Sequence, residues 1–378
     1  MPERPLNGRC LNQTLPANPS LQVPDQAWQD NSRPQRPFRV TMNQKEDYFA
    51  RQSAIPEIGP SGLQRLQSAR IAIVGTGGVG SAAACFLASL GTGHLALVDQ
   101  DVVEESNLHR LLGADHHDLY QPKAEVLSRK LGSRHPWTRT EAMVETLRAE
   151  NCNELLVGSD LIVDGTDNIR TRYLLNRFSA KNNTPYLFTS AIANQGHLSL
   201  FNPPATPCLE CFMPVSEPAS TDGCETSGVT STAVGIIGAL AASEAAKKVI
   251  GLPTRVLGQL LTIDLAGPEF LFTRIAKREK CATCEGSRSE TVHHDKVVML
   301  CGNNIANVLL EREVSLDLQS LSTKIPRESI VASSDSVFVY TRQHHRVSVF
   351  KTGRLLIGNV SSEETARQVA SEVWNEIL

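Results

Sequence analysis

The 378-residue chain lacks an excess of either charge: 37 Lys and Arg face 40 Asp and Glu, giving a formal net charge of -3. No basic run or basic helix face stands out, so neither nucleic acid nor a membrane surface is an expected partner. An uninterrupted apolar run of bilayer length is also missing. The most apolar stretch, residues 229–246, is rich in Gly, Ala, Ser and Thr and carries Glu244, which reads as a buried helix. No apolar core follows the two arginines of residues 1–10, so no secretory signal is expected. No internal repeat is found. The nine cysteines are an odd number, and four of them fall in two Cys-x-x-Cys pairs. That suits a reducing, cytoplasmic setting with a metal site better than a disulfide framework.

What is present is an ordinary globular composition, 41% hydrophobic and 20% charged, with length for one large α/β domain plus smaller pieces. Residues 1–45 are rich in Pro, Asn, Gln and Arg and read as a disordered or loosely packed extension, either a dispensable tail or a docking segment. Regular patterning begins at Tyr48. Short helices are expected over 63–67 and 122–131, and a further one over 169–181. Strands are expected over 71–74, 95–98, 161–163, 185–192 and 197–201. A long helix should cover 230–250, and late, antiparallel strands 256–264 and 269–275. This order argues for a doubly wound, mostly parallel α/β sheet over residues 46–286. Past a composition shift at 286–295, residues 287–378 read as a small C-terminal α+β domain. Its strands lie near 297–299, 337–340, 347–350 and 355–357, and its final helix over 361–374.

The chemistry concentrates in residues 71–110. An apolar strand enters Gly75-Thr76-Gly77-Gly78-Val79-Gly80, a small-residue helix follows, and a second strand ends at Asp99. Such a βαβ unit lets the backbone approach a phosphate at a helix N-terminus, with Asp99 placed for ribose hydroxyls. Taken alone, the glycine motif favours a dinucleotide dehydrogenase. The polar segment after it, Asp101 and Asn107-Leu108-His109-Arg110, points instead to work at ATP phosphates, and nothing supplies a hydride-transfer site. Arg110 and Lys123 are the cations expected to neutralise the phosphates. Lys123 starts a helix, where a cation opposes the macrodipole, so a helix-stabilising role does not explain it. Asp167, in Asp164-Gly165-Thr166-Asp167-Asn168, is placed to hold Mg²⁺ between phosphates; Asp167 or Asn168 is alternatively the cap of the next helix. Cys208-Leu209-Glu210-Cys211 and Cys281-Ala282-Thr283-Cys284 supply two thiolate knuckles, a full ligand set for a structural Zn²⁺. Cys224, in a loop before the long helix, is either an exposed nucleophile or an inert thiol.

Together these motifs resemble the ThiF/MoeB/HesA family of adenylyltransferases, relatives of ubiquitin-activating enzymes, over residues 48–285. The resemblance implies a Rossmann-like sheet, MgATP, and a small β-grasp sulfur-carrier protein with a Gly-Gly tail. The tail's carboxylate would be adenylylated with release of pyrophosphate and then converted to a thiocarboxylate by a separate sulfur donor, since no rhodanese-like segment is visible. It further implies ribose binding at Asp99 and phosphate binding at Asn107, Arg110 and Lys123. Magnesium would be held at Asp167. In Tyr48-Phe49-Ala50-Arg51-Gln52, Arg51 matches an arginine that reaches the ATP site of the other subunit of a homodimer. Cys224 matches a loop cysteine that some members use for sulfur or thioester chemistry. Alternatives are an activating enzyme that keeps a Cys224 thioester, one that adenylylates a peptide or RNA-linked carboxylate, and a non-catalytic binding module. The intact set of Arg51, Asn107, Arg110, Lys123 and Asp167 argues against the last.

Overall fold

The computed structural model describes residues 42–215, 228–286, 297–300, 304–310 and 314–378. Most of the N-terminal extension and Cys224 lie outside these residues. The helical part begins earlier than expected, because α1 (Met42–Ser53) takes in the last residues assigned to the extension. α2 (Gly59–Ser68) starts four residues before its predicted first residue, with a proline in its first turn.

β1 (Arg70–Val74) and β2 (His94–Val98) are short runs of aliphatics with four of five residues buried, as strands covered on both faces require. They join β3 (Arg139–Met143), β4 (Leu161–Asp164), β5 (Tyr186–Ile192), β6 (Gln195–Phe201), β7 (Gln259–Asp264) and β8 (Glu269–Arg274). The sheet order is β3-β2-β1-β4-β5-β6-β7-β8. The first five strands of that order pair in parallel, and β6, β7 and β8 add on antiparallel.

Alternation along β1 sends Ile71 and Ile73 into one apolar layer and Ala72 and Val74 into the other. The first layer is completed by α3 (Gly78–Leu90), α4 (Lys123–Arg134) and α8 (Ser231–Ile250). The second is completed by α5 (Cys152–Leu156), α6 (Ile169–Asn182) and α7 (Leu209–Phe212). The long apolar helix is therefore core: Thr230 caps it by accepting the Ala233 N–H at 3.3 Å, and its glycines and alanines let it lie against α3. No helix among the described residues is long and apolar enough to cross a membrane.

Strand order reverses between β1 and β4, and this is where a doubly wound sheet opens a crevice at its carboxyl edge. The two loops leaving that edge touch through glycine. Gly75 has φ +83°, and a Cβ there would meet the Gly165 backbone at 2.8 Å. A Cβ on Gly80 would collide with the Gly75 carbonyl oxygen. Because that obstacle is backbone, Gly80→Ala is expected to cost about 3 kcal/mol or more, read from the denaturant midpoint. A midpoint equal to that of the parent chain would show that the turn is not packed this way.

The second sheet is wholly antiparallel: β9 (Val297–Leu300), β10 (Ile305–Val308), β11 (Ile330–Ser333), β12 (Val337–Arg342), β13 (His345–Phe350) and β14 (Leu355–Gly358), in the order β11-β12-β13-β14-β10-β9. One face, with Phe338, Val347, Val349, Leu355 and Ile357, packs on α9 (Leu318–Lys324) and α10 (Glu363–Ile377). The other carries Val337, Val339, Phe350 and Leu356 against Val102, Tyr120 and Val144 of the loops above the first sheet. Two strands of this sheet, β10 and β11, and the helix α9 were not expected from the sequence.

Candidate active site

The glycine turn, the end of β2 and the start of α4 form one polar cluster. Asp99 is 8% exposed, and its Oδ2 accepts from the Thr76 N–H at 2.6 Å and from Thr76 Oγ1 at 2.9 Å. Its Oδ1 accepts from the Asp101 N–H at 2.8 Å. The carboxylate expected to meet a ribose thus first sets the shape of the glycine turn; Oδ2 already accepts twice, and Oδ1 keeps acceptor capacity. Burial pushes Asp99 above the ordinary carboxylate range, and the nearby Lys123 charge pulls it back.

Lys123 is the first residue of α4, behind Pro122, and its Nζ donates to Asp101 Oδ2 at 3.0 Å. Burial alone would lower its affinity for its proton. The charges of Asp101, Asp99 and Asp167 outweigh that, and Lys123 titrates above the ordinary lysine range. Asp101 Oδ1 is buried and accepts no hydrogen bond among the described residues. A free buried acceptor beside a fixed ammonium is a donor set suited to a hydrated cation or a nucleotide.

Asn168 settles the question of which residue caps α6. Its Oδ1 accepts from the N–H groups of Arg170 and Thr171 at 2.9 and 3.2 Å. Asp167 is left exposed with no hydrogen bond to another described residue, its charge felt at Lys123. Asp164 is buried and structural: Oδ1 accepts from Thr166 N and Oγ1, and Oδ2 accepts from Tyr186 Oη at 2.6 Å. Arg172 braces the same loop by donating to the carbonyls of Thr166 and Thr189 at 2.7 and 3.2 Å. Sequence reasoning missed Thr76, Tyr186 and Arg172. Only Thr76, inside the glycine motif, stood where a local signal could have found it.

Asn107 is 4% exposed in a single helical turn, Glu105–Asn107, and Arg110 donates to the Ser106 carbonyl at 2.8 Å. Three cations bear on Glu104, which burial pushes up and Lys123, Arg346 and Arg110 pull down. Arg51 lies apart in the last turn of α1, exposed, while its neighbours anchor the helix: Gln52 Nε2 donates to the Leu90 carbonyl at 2.7 Å and Tyr48 Oη lies 3.0 Å from His135 Nδ1. No hydrogen bond or ion pair joins Arg51 to the other candidates among the described residues. Gly77 caps α3 without a side chain and has open space before it, as close approach of a ligand would need; Gly78 packs on Val234.

The four knuckle cysteines converge although sixty-nine residues of sequence separate the pairs. Their sulfur atoms lie within 4.8 Å of one another, with Sγ–Sγ separations of 3.9 Å for Cys208–Cys211, 3.6 Å for Cys208–Cys281 and 3.7 Å for Cys211–Cys284. A tetrahedron of sulfurs about 2.3 Å from a Zn²⁺ has edges of about 3.8 Å. α6 orients the first knuckle: Asn176 Oδ1 accepts the Leu209 N–H at 2.8 Å, and Arg177 Nε pairs with the buried Glu210 at 3.2 Å.

A glycine turn at a switch point, acids gathered about a buried lysine and a four-cysteine cluster define a nucleotide-binding α/β protein. Residues 49–285 match the model of the ThiF family, and the chain belongs to that family. It is 32% identical over 257 residues to a sulfur carrier protein adenylyltransferase of Thermus thermophilus, covering 66% of this chain and 95% of that one. With the sulfur carrier protein ThiS adenylyltransferase of Bacillus subtilis it shares 28% identity over 329 residues, 85% of this chain and 97% of the other. The crystal structure of E. coli MccB has the same fold, with a TM-score of 0.56 at 20% identity over 66% of this chain and 75% of that one.

Proposed function

We propose that this chain adenylylates the C-terminal Gly-Gly carboxylate of a small β-grasp sulfur-carrier protein, releasing pyrophosphate and readying the carrier for a thiocarboxylate. The ion pair of Lys123 with Asp101 at the switch point, beside the glycine turn that Asp99 holds through Thr76, is the observation that carries it. In this reading Asp99 takes the ribose, and Lys123, Arg110 and Asn107 face the phosphates with the turn of Gly75, Gly77, Gly78 and Gly80, open at Gly77; Asn168, its oxygen engaged in the α6 cap, offers only its amide nitrogen. Asp167 and Asp101 would hold Mg²⁺, which when bound offsets phosphate charge. Lys123 and Arg110 lower the cost of negative charge gathering at the α-phosphate as the carboxylate attacks.

Arg51 serves the site of a second copy in a homodimer; its exposure and the anchoring of its neighbours support that role. Cys208, Cys211, Cys281 and Cys284 hold a structural Zn²⁺ that ties the segment after β8 to α7. Cys224 acts after adenylylation, with sulfur coming from a separate donor. Residues 46–286 form the catalytic domain and 287–378 a domain that rests on it, and the chain works in the cytoplasm. The test is mass spectrometry of a Gly-Gly-ended carrier incubated with the chain and MgATP. The carrier should gain one AMP, and ATP turnover without a modified carrier would refute the assignment.

A further inference from the structure

The apolar seam between the two sheets contains two buried polar side chains that the reaction itself does not call for. Alternation along β10 sends Ala306 and Val308 toward α10, and Ile305 and Asn307 toward the seam. Asn307 is 1% exposed. Its Nδ2 donates to Gln100 Oε1 at 3.2 Å and to Thr146 Oγ1 at 3.1 Å, and its Oδ1 accepts from Arg354 Nη1 at 3.3 Å. A guanidinium only donates, so Arg354 fixes which end of the amide points toward Gln100. Arg354 is 3% exposed, with its guanidinium carbon 3.5 Å from the Phe350 ring centre, and its Nε and Nη2 make no hydrogen bond among the described residues. Burial draws it down to about 10, against the pull of Asp101, Glu145 and Asp99.

Gln100 is the residue between Asp99 and Asp101. A buried amide and guanidinium among Val102, Val337, Val339 and Leu356 cost free energy that an apolar pair would not, and what they supply is direction. We infer that the second sheet is a positioning element of the nucleotide site: Asn307, oriented by Arg354, holds the Asp99-Gln100-Asp101 turn so that Asp99 meets Thr76 and Asp101 meets Lys123. This rests on the nucleotide reading given above. Thr146, the other partner of Asn307, belongs to the loop after β3 and serves as the control, because cutting its contact loosens the seam without touching the turn.

The experiment is calorimetric titration of MgATP into the full chain, with a melting curve for each variant. Asn307→Ala and Gln100→Ala should each weaken binding roughly tenfold, and the double variant should be no weaker than either alone. Thr146→Val should bind within about twofold of the parent chain. Equal affinities for all variants, or equal weakening by Thr146→Val, would overturn the inference. If Asn307→Ala does not fold, Gln100→Ala against Thr146→Val decides. A parent chain that binds no MgATP would refute the nucleotide reading itself, a result distinct from unchanged affinities.

Discussion

Lys123→Ala should lower ATP–pyrophosphate exchange about a thousandfold while the variant still melts cooperatively. The rate effect follows from taking the Lys123 ammonium away from a transition state that gathers negative charge. Stability responds in a way that identifies the same group. Without Lys123, Asp99, already above its ordinary range through burial, is raised further. A carboxyl raised in the folded state binds its proton more readily there than in the unfolded chain. Stability therefore falls as pH rises through its native value, and over a wider pH range in the variant. The deficit should be about 2 kcal/mol near neutrality and shrink on acidification. Denaturant melts at several pH values check this. Retained exchange would remove Lys123 from the phosphate site, and a deficit independent of pH would separate it from Asp99.

The second large effect concerns the cysteine cluster. One zinc per chain is expected by elemental analysis, and Cys281→Ser should release it and lower Tm by about 10 °C or more, since binding energy of a structural metal is folding energy. Cys85→Ser lies outside the cluster and should leave the metal content unchanged. A metal-free chain with an undiminished Tm would contradict the assignment. No ligand position is open in a four-thiolate set, so zinc loss should act on activity only through the fold.

These effects were visible in the sequence to unequal degrees. The glycine turn was legible because its demands are local: Gly75 needs a positive φ and Gly80 lies on the next backbone, so neither tolerates a side chain. The four cysteines were legible because thiolate spacing within each knuckle is local too, although that the two pairs converge was read only from ligand count. β3 was missed because Arg139-Thr140-Glu141-Ala142-Met143 is a half-buried strand at the sheet edge with no aliphatic run. β6 begins at Gln195, two residues early, because the hairpin turns through Ala193 at φ +52° without the usual glycine. The structural role of Asp164 is not legible in its own loop, because the Tyr186 hydroxyl that donates to it comes from the next strand, β5. Asn307 and Arg354 carry no local signal, since a strand residue shows which face it is on only when the partner sheet is in place.

Carrier-dependent ATP–pyrophosphate exchange tests the central claim most directly. A panel of small β-grasp proteins ending in Gly-Gly, each paired with a version lacking those two residues, would be assayed with the chain and MgATP. The account predicts exchange with one intact carrier and none with its truncated form. Exchange that ignores the tail, or no exchange with any carrier from a chain shown to bind MgATP, would contradict it.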